Sequence, residues 1–317
     1  MTKLTEAIER YIDDVCAGKT NETATAYRSK LRRLVKFLGD RPIARVKPRD
    51  LKDFRHHLQT VKVKRRGGEM VNEPLSKWTI HTVLITTRQF FRWCAREKLI
   101  KVDPALELKL PPEPDVEPKP ISAVTFAKLV KTATTMGEFW EQARNVALLY
   151  CLRDTGGRIG GLLNARLDDL DLKAGLLTVC EKGNRMRDMP LNDPVRAALR
   201  QWLKARALLD PETDHLFIGL HGRSLTRNSL YSILDRLKTA GHIRGRLNPH
   251  SFRHAFARDA LRNGGNIGEV SQLMGHKTPA TTLKYYSRWT GKELQAAHRR
   301  ISPGANLKVI RLKPRKM

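Results

Sequence analysis

Six side chains in the second half of the chain are of types that hold and move charge: Arg158, Lys182, His250, Arg253, His276 and Tyr285. Arginine presents a planar fork of donors that stays charged at any physiological pH. Lysine can deliver a proton, and imidazole can give or take one near neutrality. Singly, none of them says much. A chain with 10 histidines and 60 lysines and arginines holds roughly one His-x-x-Arg by chance, and His250-Ser251-Phe252-Arg253 is a single instance. A lysine in a turn is ordinarily an exposed cation, and two tyrosines in a helix ordinarily pack. Asp168, Asp169 and Asp171 are irregularly spaced within a turn, which suits capping and solvation better than metal ligation, so no metal site is expected. The four cysteines (Cys16, Cys94, Cys151 and Cys180) lie far apart with no CxxC pair. That argues against a zinc site or a disulfide framework and fits a reducing cytoplasm.

Taken in chain order, the same residues form a series. Thr155-Gly156-Gly157-Arg158-Ile159 comes first, then Glu181-Lys182-Gly183-Asn184-Arg185-Met186-Arg187-Asp188-Met189-Pro190-Leu191. Pro249-His250-Ser251-Phe252-Arg253-His254 follows, and Leu273-Met274-Gly275-His276 runs on to Lys284-Tyr285. This series resembles the tyrosine recombinase (phage integrase) family in order and spacing across the second half of the chain. The first 110 residues or so resemble that family's helical DNA-clamping domain only in size and helix content.

The resemblance implies a site-specific DNA recombinase. Such an enzyme would cut double-stranded DNA through a 3′-phosphotyrosyl bond, exchange strands by way of a Holliday junction, and reseal without a cofactor or an obligatory metal. Tyr285, nine residues after His276, would be the nucleophile, with Tyr286 out of register. Arg158, Lys182, His250, Arg253 and His276 would complete the site. The resemblance further implies a homo-tetramer on two DNA sites, a monomer or weak oligomer without DNA, and room for accessory DNA-bending or directionality proteins. The segment Gly291–Arg300 would dock on an adjacent subunit.

The residue types fit that chemistry on their own terms. Transesterification at a phosphodiester builds negative charge on the non-bridging oxygens, and the protein supplies mainly positioning and electrostatics. Two guanidiniums can clamp that charge. The departing 5′ oxygen needs a proton, which a lysine on a hairpin can reach to give. His250 can accept the tyrosine proton or support the clamp, and His276 can hydrogen-bond a phosphate oxygen. A tyrosyl ester keeps the energy of the broken bond, so covalent catalysis suits strand exchange better than hydrolysis would.

One position departs from the family pattern. An acidic residue usually stands three places after the first arginine, and here that place is Gly161. Two adjacent glycines, Gly160 and Gly161, weaken a short helix by about 1 kcal/mol each relative to alanine. The departure leaves two readings, a compensated site or a weakened enzyme retained as a DNA-binding or architectural protein. A type IB topoisomerase-like activity, sharing the nucleophile and arginines, is a third.

The wider sequence must position these residues. Lysine plus arginine number 60 against 32 acids, a net charge of +28. Divided at Glu117–Pro118, the surplus is +9 before and +19 after, so both halves are basic. Charge on this scale costs self-repulsion and is recovered against a polyanion, where phosphate contacts release counterions. Forty per cent hydrophobic residues is enough for a packed interior. The densest apolar run, near Val146–Leu152, is far short of a membrane span, and the start has no signal-peptide core. A cytoplasmic, nucleoid-associated protein is expected.

Periodicity predicts a mostly α fold with a small antiparallel sheet, arranged as a two-domain DNA clamp. A helical core-binding domain is expected over 1–102, a Pro-rich linker over 103–120, a mixed α+β catalytic domain over 121–301, and a basic tail from 302. Thr2 is the expected N-cap of the first helix. The segment Val61–Asn72 reads as a surface loop, with Lys62, Lys64, Arg65 and Arg66 as candidate phosphate contacts. Leu176–Cys180 and Met186–Leu191 alternate as strands around Lys182-Gly183-Asn184, a hairpin signature.

Overall fold

A computed structural model of the chain describes residues 1–18, 21–64, 70–114, 119–181, 185–245, 247–276 and 278–286, together with 295, 296, 298, 299 and 302. It divides into two units, Met1–Val116 and Glu117–Met317.

Among the described residues the first unit contains four α-helices, α1 (Leu4–Val15), α2 (Asn21–Leu38), α3 (Pro48–Thr60) and α4 (Lys77–Arg96). Each carries its apolar residues on one stripe, and the stripes meet: Leu4, Ile8, Tyr11, Leu31, Leu34, Leu51, Phe54, Leu84, Phe90 and Phe91 form one core. Tyr11 is its hub, with ring centroids 5.9 Å from Tyr27, 5.5 Å from Phe90 and 5.4 Å from Trp93. The boundaries follow local chemistry. Ser76 caps α4 by accepting from the Thr79 amide at 3.1 Å. Gly39, at φ +74°, ends α2.

Three features depart from the sequence reading. Thr2 does not cap α1: Lys3 holds the N-cap position, and the donor at Thr5 is satisfied from outside the helix by Asp40 Oδ1 at 2.9 Å. The Thr2 carbonyl instead accepts from the Ile43 amide. Second, the segment read as a loop over Val61–Asn72 contributes to an antiparallel hairpin, β1 (Lys62–Lys64) with β2 (Met70–Pro74), pairing Val63 with Val71 and Lys64 with Met70. Lys62 and Lys64 therefore lie on a strand, while Arg65 and Arg66 fall outside the described residues. Third, the start of the Pro-rich stretch is not a free spacer. Ala105 and Leu108 are buried in the first core, and the Pro111 carbonyl lies 2.8 Å from His81 Nδ1.

In the second unit, α5 (Ala123–Ala133), α6 (Phe139–Asp154) and α7 (Ile159–Asn164) precede a three-stranded antiparallel sheet. Its strands are β3 (Leu170–Asp171), β4 (Leu176–Glu181) and β5 (Arg185–Pro190), in that spatial order. Then follow α8 (Asp193–Ala207), α9 (Arg227–Ala240), α10 (Pro249–Arg262), α11 (Ile267–Met274) and α12 (Pro279–Tyr286). The helix α6 is buried along most of its length, from Ala143 through Leu152, because α8 and α10 pack against it. The sheet turns Leu177, Val179 and Met189 into the same core. Trp202 is fully buried and donates its indole N–H to the Leu216 carbonyl at 2.8 Å.

The β4–β5 register is unbroken from Leu176↔Pro190 to Glu181↔Arg185, as the hairpin signature predicts. The two-residue strand β3 is too short for periodicity to reveal. Asp169 and Asp171 do what their spacing suggested. Asp169 accepts from the Arg166 amide, and Asp171 accepts from the amides of Lys173 and Ala174, each at 2.8 Å. Among the described residues no helix is long and apolar enough to cross a membrane.

Candidate active site

The site is assembled on the end of α6, the β4–β5 hairpin, α10, and the turn between α11 and α12. Thr155 closes α6, its hydroxyl donating to the Cys151 carbonyl at 2.8 Å and accepting from the Gly157 amide at 3.2 Å. Gly156 then adopts φ +56°, and a Cβ there would lie 2.3 Å from Cδ1 of Phe256 on α10. Glycine is required twice over, for the left-handed backbone and for the close approach. This turn delivers Arg158 to the N-cap of α7. Gly156→Ala should therefore cost about 2 kcal/mol or more of stability, from strain and overpacking together. Urea denaturation at pH 7 measures it, and a change within about 0.5 kcal/mol would contradict this account.

Arg253 comes from α10, whose N-cap Asn248 accepts from the Ser251 amide at 3.0 Å and whose first residue is Pro249. Its guanidinium is buried and reaches both sides of the site. Nη1 donates to the Gly156 carbonyl, and Nη2 donates to the Met274 carbonyl at 2.7 Å. His250, one turn earlier on the same helix, is exposed.

Arg158 reaches the same turn. Its Nη1 donates to the Gly275 carbonyl at 3.1 Å and also to Oε2 of Glu181, the last residue of β4. Glu181 Oε1 lies 3.0 Å from Nη2 of Arg187 on β5, and Arg187 Nη1 donates to the Leu273 carbonyl. Burial lowers the pKa of Arg187, with Glu181 opposing that shift and Arg158 adding to it. Thus Arg158, Arg187 and Arg253 bind the consecutive carbonyls of Leu273, Met274 and Gly275. A helix C-terminus offers these unsatisfied acceptors, and cations are favoured there.

Gly275 closes α11 in the left-handed region at φ 65°, and the amides of Gly275 and His276 turn back to the carbonyls of Gln272 and Ser271 at 2.9 and 3.0 Å. His276 is thereby set beside the arginines. Its Nδ1 lies 2.7 Å from the hydroxyl of Thr282, a fully buried residue of α12. Burial first, then Arg253 and Arg158, push the His276 pKa down to about 4, against a smaller opposing pull from Glu181. The imidazole is neutral at pH 7 and, in the tautomer that accepts from the Thr282 hydroxyl at Nδ1, carries its proton on Nε2. Because the folded pKa lies below the ordinary 6.5, the unfolded chain takes up this proton first. The contribution of neutral His276 to stability is whole above about pH 6.5 and is lost as the pH falls toward 4. Wild type should lose more thermal stability between pH 7 and pH 5 than His276→Gln, and equal losses would refute it.

Tyr285 lies in the last turn of α12, three residues after Thr282. Lys182 lies outside the described residues, between the paired Glu181 and Arg185. The structure thus brings Arg158, Arg253 and His276 onto one turn. Glu181, Arg187 and Thr282 were not singled out by sequence reasoning. Glu181 and Arg187 stand in the quoted hairpin box, but nothing local indicates their partners. Among the described residues no group of three or more His, Cys, Asp or Glu side chains is arranged to hold a metal ion.

The second unit, α+β with this small sheet, thus gathers two arginines and an imidazole on one turn beside α12. Residues 123–292 match the phage integrase family, and residues 8–98 match its N-terminal SAM-like domain. The chain is 34% identical over 209 residues to the tyrosine recombinase XerC of Alcanivorax borkumensis, covering 65% of this chain and 68% of that one. It is 28% identical over 284 residues to the tyrosine recombinase XerD of Staphylococcus haemolyticus, covering 88% and 92%. In fold it is similar to the Tn1549 transposon integrase in complex with a circular intermediate DNA, with a TM-score of 0.73, 21% identity, and coverage of 95% and 100%. It is also similar to a lambda integrase dimer bound to a core site, with a TM-score of 0.67, 16% identity, and coverage of 91% and 98%. The chain belongs to the phage integrase family, the tyrosine recombinases.

Proposed function

We propose that this protein cuts and rejoins double-stranded DNA at specific sites through a phosphotyrosyl intermediate. The convergence of Arg158, Arg253 and His276 on the turn after α11, with Tyr285 on the helix that follows, carries the reading. The Tyr285 phenolic oxygen attacks the scissile phosphorus as its proton passes to His250. A phosphorus–oxygen bond forms to the tyrosine, and the bond to the 5′ oxygen breaks. Lys182 protonates that leaving oxygen. Arg158 and Arg253 hold the non-bridging oxygens, where charge accumulates, and neutral His276 donates from Nε2 to one of them. An incoming 5′ hydroxyl reverses the step with one ester made for one broken, so no ATP and no cofactor is needed.

Two rounds of this exchange pass through a Holliday junction and require four active sites, which we assign to a homo-tetramer on two DNA sites. Accessory DNA-bending or directionality proteins would act on that assembly. Lys62, Lys64, Arg65 and Arg66 would contact phosphates from the first domain, which makes their contribution sequence-independent and salt-sensitive. The setting is the cytoplasm, with the protein associated with the nucleoid. The names of the XerC and XerD relatives, and the DNA in the Tn1549 and lambda integrase complexes, support a DNA substrate.

The test is a pool of labelled duplexes, drawn from DNA flanking the coding sequence and nicked near each candidate cleavage point. A nick lets the 5′ fragment diffuse away and strands the enzyme on the 3′ phosphate. Wild-type protein should form a covalent adduct that survives denaturation, and sequencing its DNA identifies the site. Salt-sensitive binding with no adduct on any substrate would overturn the reading.

A further inference from the structure

The family's acidic residue is absent at Gly161, yet a carboxylate stands beside the first arginine. Helix α7 lies so close to strand β4 that a Cβ at Gly161 would sit 3.2 Å from Cβ and Cγ2 of Val179 and 3.7 Å from the Cys180 carbonyl. Any side chain at 161 would require Val179 to give by a few tenths of an ångström. Two residues beyond Val179, on the same face of the strand, stands Glu181.

Its side chain is only 7% exposed, and both of its oxygens face arginines, Oε2 toward Arg158 and Oε1 toward Arg187. A buried carboxylate survives only when paired in this way. The Arg158 side chain, in contrast, remains 41% exposed, so it is held at Nη1 while still reachable by a phosphate. The Glu181 carboxylate also lies under the turn that presents His276. A Cβ on Gly275 would be 2.9 Å from Glu181 Oε2 and equally close to Cδ and Nε of Arg187.

We propose that Glu181 is the positioning residue of this site, bracing Arg158 with a carboxylate supplied by strand β4 instead of helix α7. The proposal rests on Arg158 acting as a phosphate clamp. In this role Glu181 acts through Arg158; it fixes where the guanidinium points and offsets the mutual repulsion of Arg158 and Arg187. Gly161 and Glu181 lie 20 positions apart along the chain and only the width of one helix–strand contact apart in space.

The experiment uses the full-length protein on the nicked duplex, with single-turnover cleavage, DNA affinity and thermal melting measured on each variant. Glu181→Gln keeps the shape and removes the charge. It should slow adduct formation more than tenfold, while DNA affinity stays within about twofold. Glu181→Asp keeps the charge on a shorter arm and should recover part of the rate. Returning the acid to the helix, in Gly161→Glu with Glu181→Gly and Val179→Ala to make space, should recover more than Glu181→Gly with Val179→Ala.

Cleavage by Glu181→Gln at the wild-type rate would overturn the proposal. So would a loss of rate that tracks a loss of melting temperature and is not relieved by aspartate or by the relocated acid. An adduct from wild type, absent in Tyr285→Phe, keeps the recombinase reading intact in either case. No adduct from wild type on any substrate would remove that reading and this proposal with it.

Discussion

Replacing Tyr285 by phenylalanine should abolish the covalent adduct while leaving DNA binding intact. The substitution deletes one oxygen, the atom proposed to form the ester, and leaves the rest of the side chain in place. Removal of a covalent nucleophile ordinarily costs about 10⁴-fold or more in rate. Tyr286 cannot substitute. The nucleophile is expected nine residues after His276, and Tyr286 stands one residue out of that register. Both residues belong to α12, whose buried Thr282 is tied to His276, so the helix itself is anchored to the site. Tyr286→Phe is the matched control and should cleave normally. Gel separation of denatured adducts on the nicked duplex reads both variants, and an adduct from Tyr285→Phe would dismiss Tyr285 as the nucleophile.

Arg158→Ala should be the next most damaging change. A donor aimed at charge that develops in the transition state is worth about 10²–10³-fold in rate, or roughly 3–4 kcal/mol. The ground state should be less affected, because the other basic residues of a chain with 60 lysines and arginines remain to attract a polyanion, so affinity should fall by much less than rate. Arg158→Lys separates charge from geometry. It retains the positive charge and loses the planar fork, of which Nη1 alone reaches both Glu181 and the Gly275 carbonyl. If the fork matters, lysine recovers only a small part of the lost rate. Melting curves guard against a trivial explanation, since removing Arg158 leaves Glu181 with Arg187 alone. A cleavage rate within threefold of wild type for the alanine variant would show that Arg158 is not a clamp.

Much of the fold was open to sequence reasoning because it depends on neighbours. Periodicity locates the long helices, since a stripe at spacing 3.6 has one local solution, and Gly39 and Gly275 stand where those helices stop. The β4–β5 hairpin was legible from alternation around a Lys-Gly-Asn turn. The first hairpin was not, because Lys62–Lys64 offers only three residues of alternation and the surrounding charge reads as solvated loop. The cap of α1 was misassigned for a related reason. Thr2 has the right type and place, but Asp40, brought alongside by the fold, takes the orphan amide first.

The types and order of the candidate site residues were likewise in the sequence. Chemistry on a phosphodiester calls for guanidiniums, imidazoles, a lysine and a nucleophilic oxygen, and those types stand at fixed intervals along this chain. What they touch was settled elsewhere. Arg158 binds Glu181 and the Gly275 carbonyl, 23 and 117 residues away, and Arg253 spans from Gly156 to Met274. Hydrogen bonds and ion pairs act over about 3 Å of space regardless of sequence separation. Only the packed helices and sheet decide which distant groups come within that range. By itself the sequence determined the mostly helical class, the β4–β5 hairpin and the charged groups available for chemistry. The tertiary structure alone decided that a carboxylate on a strand sits beside the first arginine, where Gly161 had left the helix without one.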